Sequence, residues 1–251
     1  MTGHGLGRLL TAALLTIALV LSGCATTGIN KGQINIISTD EEVQMGQELS
    51  TEVQKEYTIY SNPEVTSYVQ SVGDKVVKVC DRKDIDYHFT VIEKDEMNAF
   101  AMPGGYIYIY TGLMKNLDDE AQLAAVLAHE VGHVTARHST ERLTAMYGYS
   151  LLSSLILGEN PNFIASVVAN LFTTGGMLAY SRKNEYEADR LGTTYTNAAG
   201  YGPDGVVELL NKVIDTERGS ASKYADRFAF DVLDLHQPRI ESYQAAIRAA
   251  G

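Results

Sequence analysis

The stretch His129-Glu130-Val131-Gly132-His133 limits what this chain can fold into more than any other. The residues before it, Glu120-Ala121-Gln122-Leu123-Ala124-Ala125-Val126-Leu127-Ala128, are strong helix formers. On a helix, four residues advance about 400°, so the two imidazoles lie about 40° apart on one face, one turn from each other. That spacing suits two ring nitrogens binding one Zn²⁺ at about 2.0–2.1 Å. Glu130 follows the first histidine directly and is placed to reach a water as general base. The bland reading, two surface histidines on an amphipathic helix, is the weaker one, because this motif arises by chance in roughly 1% of chains of this length.

A catalytic zinc needs a third protein ligand and an open position. His138 is the nearest candidate. On a continuing helix it lies about 140° around from His133 and nearly opposite His129, so it is expected to cap the helix end or to bond a carboxylate. The longer metzincin pattern is excluded, because Ala136 stands where glycine is required and Ser139 where histidine is required. Downstream, Ser181-Arg182-Lys183-Asn184-Glu185-Tyr186-Glu187-Ala188-Asp189-Arg190 reads as a helix. Glu185 and Asp189 share one face, while Glu187 points about 200° away from Glu185. From spacing alone two readings stand. Glu185 is a metal ligand with Asp189 orienting a histidine, or the stretch is a charged face laced with salt bridges.

Composition bounds the class. A chain of 251 residues with 45% apolar content buries one full core, and its net charge of −11 leaves no basic stripe for nucleic acid. The acidic residues are dispersed and read as a solvated surface. At the N-terminus, Arg8 precedes an apolar run from Leu9 to Leu21, shaped like a signal-peptide core. The run ends in Leu21-Ser22-Gly23-Cys24, which resembles a bacterial lipobox, with Cys24 as the lipidated residue. Ala25 stands where an inner-membrane retention aspartate occurs in many proteobacteria, which points to the outer membrane facing the periplasm. The organisation expected is a signal peptide over 1–23, a lipidated tether over 24–38 and a domain over 39–251. With Cys24 lipidated, Cys80 has no intramolecular partner and is expected to be buried.

Periodicity predicts a helix starting near Ser38-Thr39-Asp40-Glu41-Glu42 and running to about Tyr60. A second runs from Glu64 to about Val79, with Val65, Val69, Val72 and Val76 at helical spacing. Tyr87–Ile92 and Tyr106–Tyr110 alternate as strands, and Pro103-Gly104-Gly105 reads as a turn. A long helix is expected from Asp118 to about Met146, then, in the apolar stretch 151–180, either buried helices or a surface that touches membrane or substrate, then helices over 182–198 and 203–217. Asn98-Ala99-Phe100-Ala101 reads, on composition alone, as a loop entering a turn. The fold expected is α+β and mainly helical, with a small antiparallel or mixed sheet beside the active-site helix.

Three segments carry a resemblance that covers residues 40 to 247. They are Asn98 to Gly105, His129 to His138 and Ser181 to Gly192. Here the chain resembles the zinc metallopeptidase family that includes HtpX and the CAAX prenyl proteases, the forty-eighth metallopeptidase family, and most of all its periplasmic lipoprotein branch. The resemblance implies a gluzincin-type domain with one Zn²⁺ per chain, held by His129, His133 and Glu185, with Asp189 behind them and Glu130 as general base. It implies that Asn98, Ala99, Phe100 and Ala101 form an edge strand pairing with an extended substrate backbone.

In relatives a histidine followed directly by proline lies near the active site. Here the order is His236-Gln237-Pro238-Arg239-Ile240, so the match is partial. His236 is read either as an active-site group, a fourth ligand or an oxyanion donor, or as a plain loop histidine; Arg239 shares that alternative. The function implied is a zinc endopeptidase acting on misfolded or unassembled envelope polypeptides. Its partners would be the membrane, through lipid on Cys24, and outer-membrane assembly machinery. The alternatives kept are a chaperone-like assembly factor with a latched zinc site and a zinc hydrolase acting on cell-wall crosslinks.

Overall fold

The computed structural model describes residues 29–30, 35–152, 180–202, 204–212, 241, 244, 245 and 248. Cys24, His236, Arg239 and most of the apolar stretch 151–180 lie outside the described residues. Contacts divide the chain into two units, Met1–Gln33 and Ile34–Gly251, and the second holds the helices and strands from Thr39 onward. No helix among the described residues is long and apolar enough to cross a membrane.

Helix α1 (Thr39–Glu56) begins at a reciprocal capping box between Ser38 and Glu41, with Asp40, Glu41 and Glu42 in its first turn. The cap satisfies amides that the helix leaves unpaired, and the acids complement its positive end. Helix α2 (Pro63–Val77) starts at Asn62, whose side chain accepts from the amides of Glu64 and Val65, with proline in the first turn. Its apolar stripe buries Val69, Val72 and Val76. These boundaries match the sequence periodicity within a few residues. Cys80, just past this helix, is buried and free.

Three strands form a mixed sheet in the order β1-β3-β2: β1 (His88–Ile92), β2 (Ala99–Ala101) and β3 (Tyr106–Tyr110). β1 runs parallel to β3, and β2 runs antiparallel to it. Residues Pro103–Gly105 make a 3-10 turn between β2 and β3, with φ of 76° at Gly104 and 88° at Gly105. Positive φ at both positions explains why glycines stand there. Alternation splits the sheet into two faces. Tyr108, Tyr110, Phe100 and Ile92 pack with Met45, Leu49 and Val53 of α1, and Phe100 stacks on Tyr108 at 4.9 Å. On the other face, α2 closes over Phe89 so tightly that a Cβ at Gly73 would lie 2.3 Å from its ring.

A short helix α3 (Thr111–Met114) leads to α4 (Glu120–Thr135), capped by Asp119 accepting from the Gln122 amide at 2.9 Å. Every residue of α4 from Gln122 to Thr135 is buried. It packs against α2 and β2, and helix α6 (Arg182–Ala198), capped by Ser181, packs outside it. Residues 205–212 are helical and set Val206 and Leu210 against Ala125.

One expectation is corrected. The helix expected over 118–146 is two helices, because Arg137 sits at φ 57° and ends α4; helix α5 (His138–Leu152) then starts in a new direction. A left-handed arginine costs on the order of 1–3 kcal/mol and persists only where its surroundings enforce it. Here Arg137 Nε donates to Glu42 at 2.7 Å and its terminal nitrogen to the Ile37 carbonyl at 2.6 Å. Glu42, only 1% exposed, also holds Arg82 through both carboxylate oxygens, at 2.9 and 3.0 Å. Arg82 in turn donates to the Val134 carbonyl at 2.9 Å, satisfying the C-terminus of α4. Removing Glu42 takes the shared buried carboxylate from both guanidinium groups, although Arg82 keeps Asp84 at 3.2 Å. Glu42→Ala is therefore expected to destabilise the domain by about 3–5 kcal/mol, read as a lower urea midpoint, with a far smaller effect from Glu41→Ala on the exposed side of the same turn.

Candidate metal centre

The site forms where α6 crosses α4. Two glycines permit the crossing distance. A Cβ at Gly132 would lie 3.0 Å from the Ala188 carbonyl oxygen, and one at Gly192 would lie 3.0 Å from both the amide nitrogen and Cα of His129. A Cβ at either position would force the facing backbone to give by a few tenths of an ångström. With glycine at both, the first turn of α6 lies over the histidine face of α4.

There, Nε2 of His129 and Nε2 of His133 are 3.0 Å apart, and the Glu185 carboxylate lies 3.6 Å from each. These three side chains form a cluster able to hold a metal ion. For tetrahedral zinc with bonds of about 2.0–2.1 Å, ligand atoms are separated by about 3.3–3.4 Å. The observed triangle brackets that value. Two neutral nitrogens and one carboxylate are the donor set of a catalytic site that keeps an open position. Both histidines are buried, at 7% and 1% exposure, so the geometry is held by packing.

Behind the triangle, His129 Nδ1 lies 3.1 Å from the Asp189 carboxylate, which is fully buried. An Nδ1–H donated to that carboxylate leaves Nε2 as the free lone pair. Glu185 and Asp189 thus do share one face of α6, and both meet the histidine helix. Glu130 is buried on the same helix turn. Tyr180, half-buried at the entry to α6, stacks on the His133 ring with centroids 4.1 Å apart and planes at 19°. Burial raises its hydroxyl above the ordinary phenol range; a hydrogen bond to Ser139 opposes this, and the charges of Glu130 and Glu185 add to the rise.

Within the segment Asn98–Ala101, Ala99–Ala101 form a strand at the sheet edge and Asn98 immediately precedes it. β3 bonds it through the Asn98 carbonyl, at 2.9 Å from the Tyr110 amide, and through the Met102 amide, at 2.8 Å from the Tyr106 carbonyl. By antiparallel alternation, the peptide groups of Ala99 and Ala101 face away from the sheet. The Ala101 carbonyl accepts from the Tyr180 hydroxyl at 3.3 Å, which leaves Ala99 as the open pairing position among the described residues. Composition alone had suggested a loop here; three residues are too few for a visible period, and pairing with β3 makes the strand.

Sequence reasoning missed Tyr180, whose partners are 41 to 79 positions away. It also placed His138 on a continuing helix. The break at Arg137 turns His138 back, so that its Nδ1 lies 2.9 Å from His133 Nδ1 and its Nε2 lies 3.3 Å from the Glu187 carboxylate. The expected carboxylate bond is present; the expected direction around the helix is not.

A helix carrying two histidines and a glutamate, crossed by a second helix that adds a carboxylate, defines a metallopeptidase-type domain. A family model described as Peptidase family M48 matches residues 63–241, and the chain belongs to that family, whose members are metalloendopeptidases. The beta-barrel assembly-enhancing protease of Escherichia coli (strain K12) is 31% identical over 194 residues, covering 74% of this chain and 40% of that protein. The Yersinia pestis protein of the same name is 30% identical over 196 residues, 72% of this chain and 39% of that one. Mitochondrial metalloendopeptidase OMA1 of Schizosaccharomyces pombe is 31% identical over 197 residues, 77% of this chain and 58% of that protein. The chain thus matches about 40% of the length of the assembly-enhancing proteases.

The crossing is testable. In Gly192→Ala, the new methyl pushes α6 off His129, with an expected loss of about 1–3 kcal/mol and weaker zinc binding in titration. Gly205→Ala, equally tight at 3.0 Å against the Ala121 backbone but remote from the triangle, is expected to cost stability without changing zinc affinity.

Proposed function

We propose that the chain is a zinc-dependent endopeptidase in which His129, His133 and Glu185 hold one Zn²⁺ and Glu130 is the general base. The observation that carries this reading is the ligand triangle of 3.0, 3.6 and 3.6 Å in a buried, family M48 domain. When bound, zinc supplies Lewis-acid polarisation of a peptide carbonyl and acidifies water toward neutrality. The protein's own contribution is positional. Asp189 holds the His129 tautomer, and burial of both histidines fixes their rings. Glu130 removes a proton from the attacking water and returns it to the leaving amine nitrogen. The β2 edge binds substrate as an added strand through the amide and carbonyl of Ala99. Main-chain pairing holds an extended peptide in register while tolerating varied side chains.

The cellular reading rests on the N-terminal sequence and the relatives. Signal peptide 1–23, lipidated Cys24 and a tether to residue 38 would fix the domain 39–251 to a membrane, facing the periplasm of the outer membrane. Relatives named as beta-barrel assembly-enhancing proteases support misfolded or unassembled envelope proteins as substrates and outer-membrane assembly machinery as partner.

The test is digestion of unfolded casein by the zinc-loaded chain beside Glu130→Gln. Cleavage by the parent that chelator abolishes, and a loss of about 10²–10⁴-fold in the variant, is expected, with one zinc retained per chain in both. A parent that binds zinc and cleaves nothing would overturn the protease reading in favour of a chaperone-like assembly factor. Equal cleavage by the variant would remove Glu130 as the base.

A further inference from the structure

The described residues contain a second line of buried polar contacts beside the metal triangle, one that the proposed mechanism does not use. His138 is fully buried, at 0% exposure. Its two ring nitrogens have different partners: Nδ1 lies 2.9 Å from His133 Nδ1, and Nε2 lies 3.3 Å from Glu187 Oε2. Since His133 Nε2 faces the triangle, His138 touches His133 only on the opposite side of that ring. His138 is therefore not a ligand of the cluster.

Proton bookkeeping along this line has one solution when His133 Nε2 is a lone-pair donor to a metal. A neutral imidazole carries one N–H, so His133 holds its proton on Nδ1. That N–H donates to His138 Nδ1, which must then be the acceptor. The remaining proton of a neutral His138 sits on Nε2 and donates to the Glu187 carboxylate. Every group is satisfied without a charge on either ring.

From this geometry we infer that His138 and Glu187 are positioning residues for His133, doing through a second imidazole what Asp189 does directly for His129. The inference rests on the zinc reading proposed above. Metal-ligating histidines almost always donate their other N–H to such an acceptor, and losing it weakens metal binding about 10–100-fold. Without His138, the buried Nδ1–H of His133 loses the acceptor that lies 2.9 Å away. Its rival tautomer, protonated on Nε2, then competes with metal binding.

Two structural devices build the relay. Arg137 at φ 57° directs His138 back under the α4 terminus, and the 200° separation of Glu187 from Glu185 lets one helix serve both histidines from two flanks. Tyr180 covers the junction, stacked on His133 at 4.1 Å and 5.9 Å from the His138 ring centroid. Arg190 lies 3.7 Å from the Glu187 carboxylate on the same helix, one turn on.

The experiment measures zinc affinity of the full chain by competition with a chromophoric chelator, for the parent, His138→Leu, His138→Gln and Glu187→Gln. Urea unfolding of each apo-protein and the visible absorption of each Co²⁺-loaded form are recorded in parallel. His138→Leu keeps the volume and removes the acceptor; its zinc dissociation constant is expected to rise about 10–100-fold, with an altered cobalt spectrum. His138→Gln retains an acceptor and a donor and is expected to recover part of that loss. Glu187→Gln, on a side chain that is 12% exposed, is expected to fold as the parent and bind zinc several-fold more weakly. Should His138→Leu fail to fold, Glu187→Gln and His138→Gln decide. Parent-like affinity and cobalt spectra in the folded variants would overturn the inference and leave the zinc reading standing. A parent that takes up no zinc would overturn both.

Discussion

The carboxylate of Glu42 joins three parts of the chain that otherwise have no covalent reason to meet. It accepts from Arg82 after α2, from Arg137 at the end of the histidine helix, and from the Gly104 amide, 3.3 Å away in the turn between β2 and β3. Burying a carboxylate and two guanidinium groups is costly, and such a network adds little net stability over apolar packing. What it adds is position. The direction of the chain leaving α4, and the placement of the turn that ends the β2 edge, both depend on one buried charge being satisfied. Burial alone would drive the Arg82 guanidinium toward the neutral form; the hydrogen bonds and charge of Glu42 outweigh it and hold Arg82 above its ordinary pKa.

With that frame fixed, the second constraint is the contact between α4 and α6. Neither helix holds a complete set of donors. The histidine helix supplies two nitrogens, and α6 supplies the oxygen at 3.6 Å from both. Their approach is set by the absence of side-chain atoms at Gly132 and Gly192, so the ligand spacing is a packing property of backbones. This makes the cluster stiff. Ring orientation is then set from behind, by Asp189 on one histidine and by His138 and Glu187 on the other.

Much of this was legible in the sequence because its signals are local. Capping near Ser38, the valine stripe of α2, the alternation of β3 and the pairing of His129 with His133 each lie within one element. Glu185 and Asp189 could be placed on a common face by the same reasoning. That they face the histidines, and are more than a surface charge ladder, needed the family resemblance first and the helix crossing afterwards. The edge strand was not legible from composition: Ala99–Ala101 becomes a strand because β3 pairs with it.

The sequence by itself determined which helix carries the chemistry and which of its faces, because residues one turn apart are neighbours whatever the fold. Only the tertiary structure decided how that face is completed. His138 reads as turned away on any continuous helix, yet it bonds His133 because Arg137 adopts a left-handed backbone. A carboxylate 95 positions earlier holds Arg137 there. That conformation is unfavourable locally and is stabilised only by contacts between distant segments, so no window of sequence around His138 contains the reason for it.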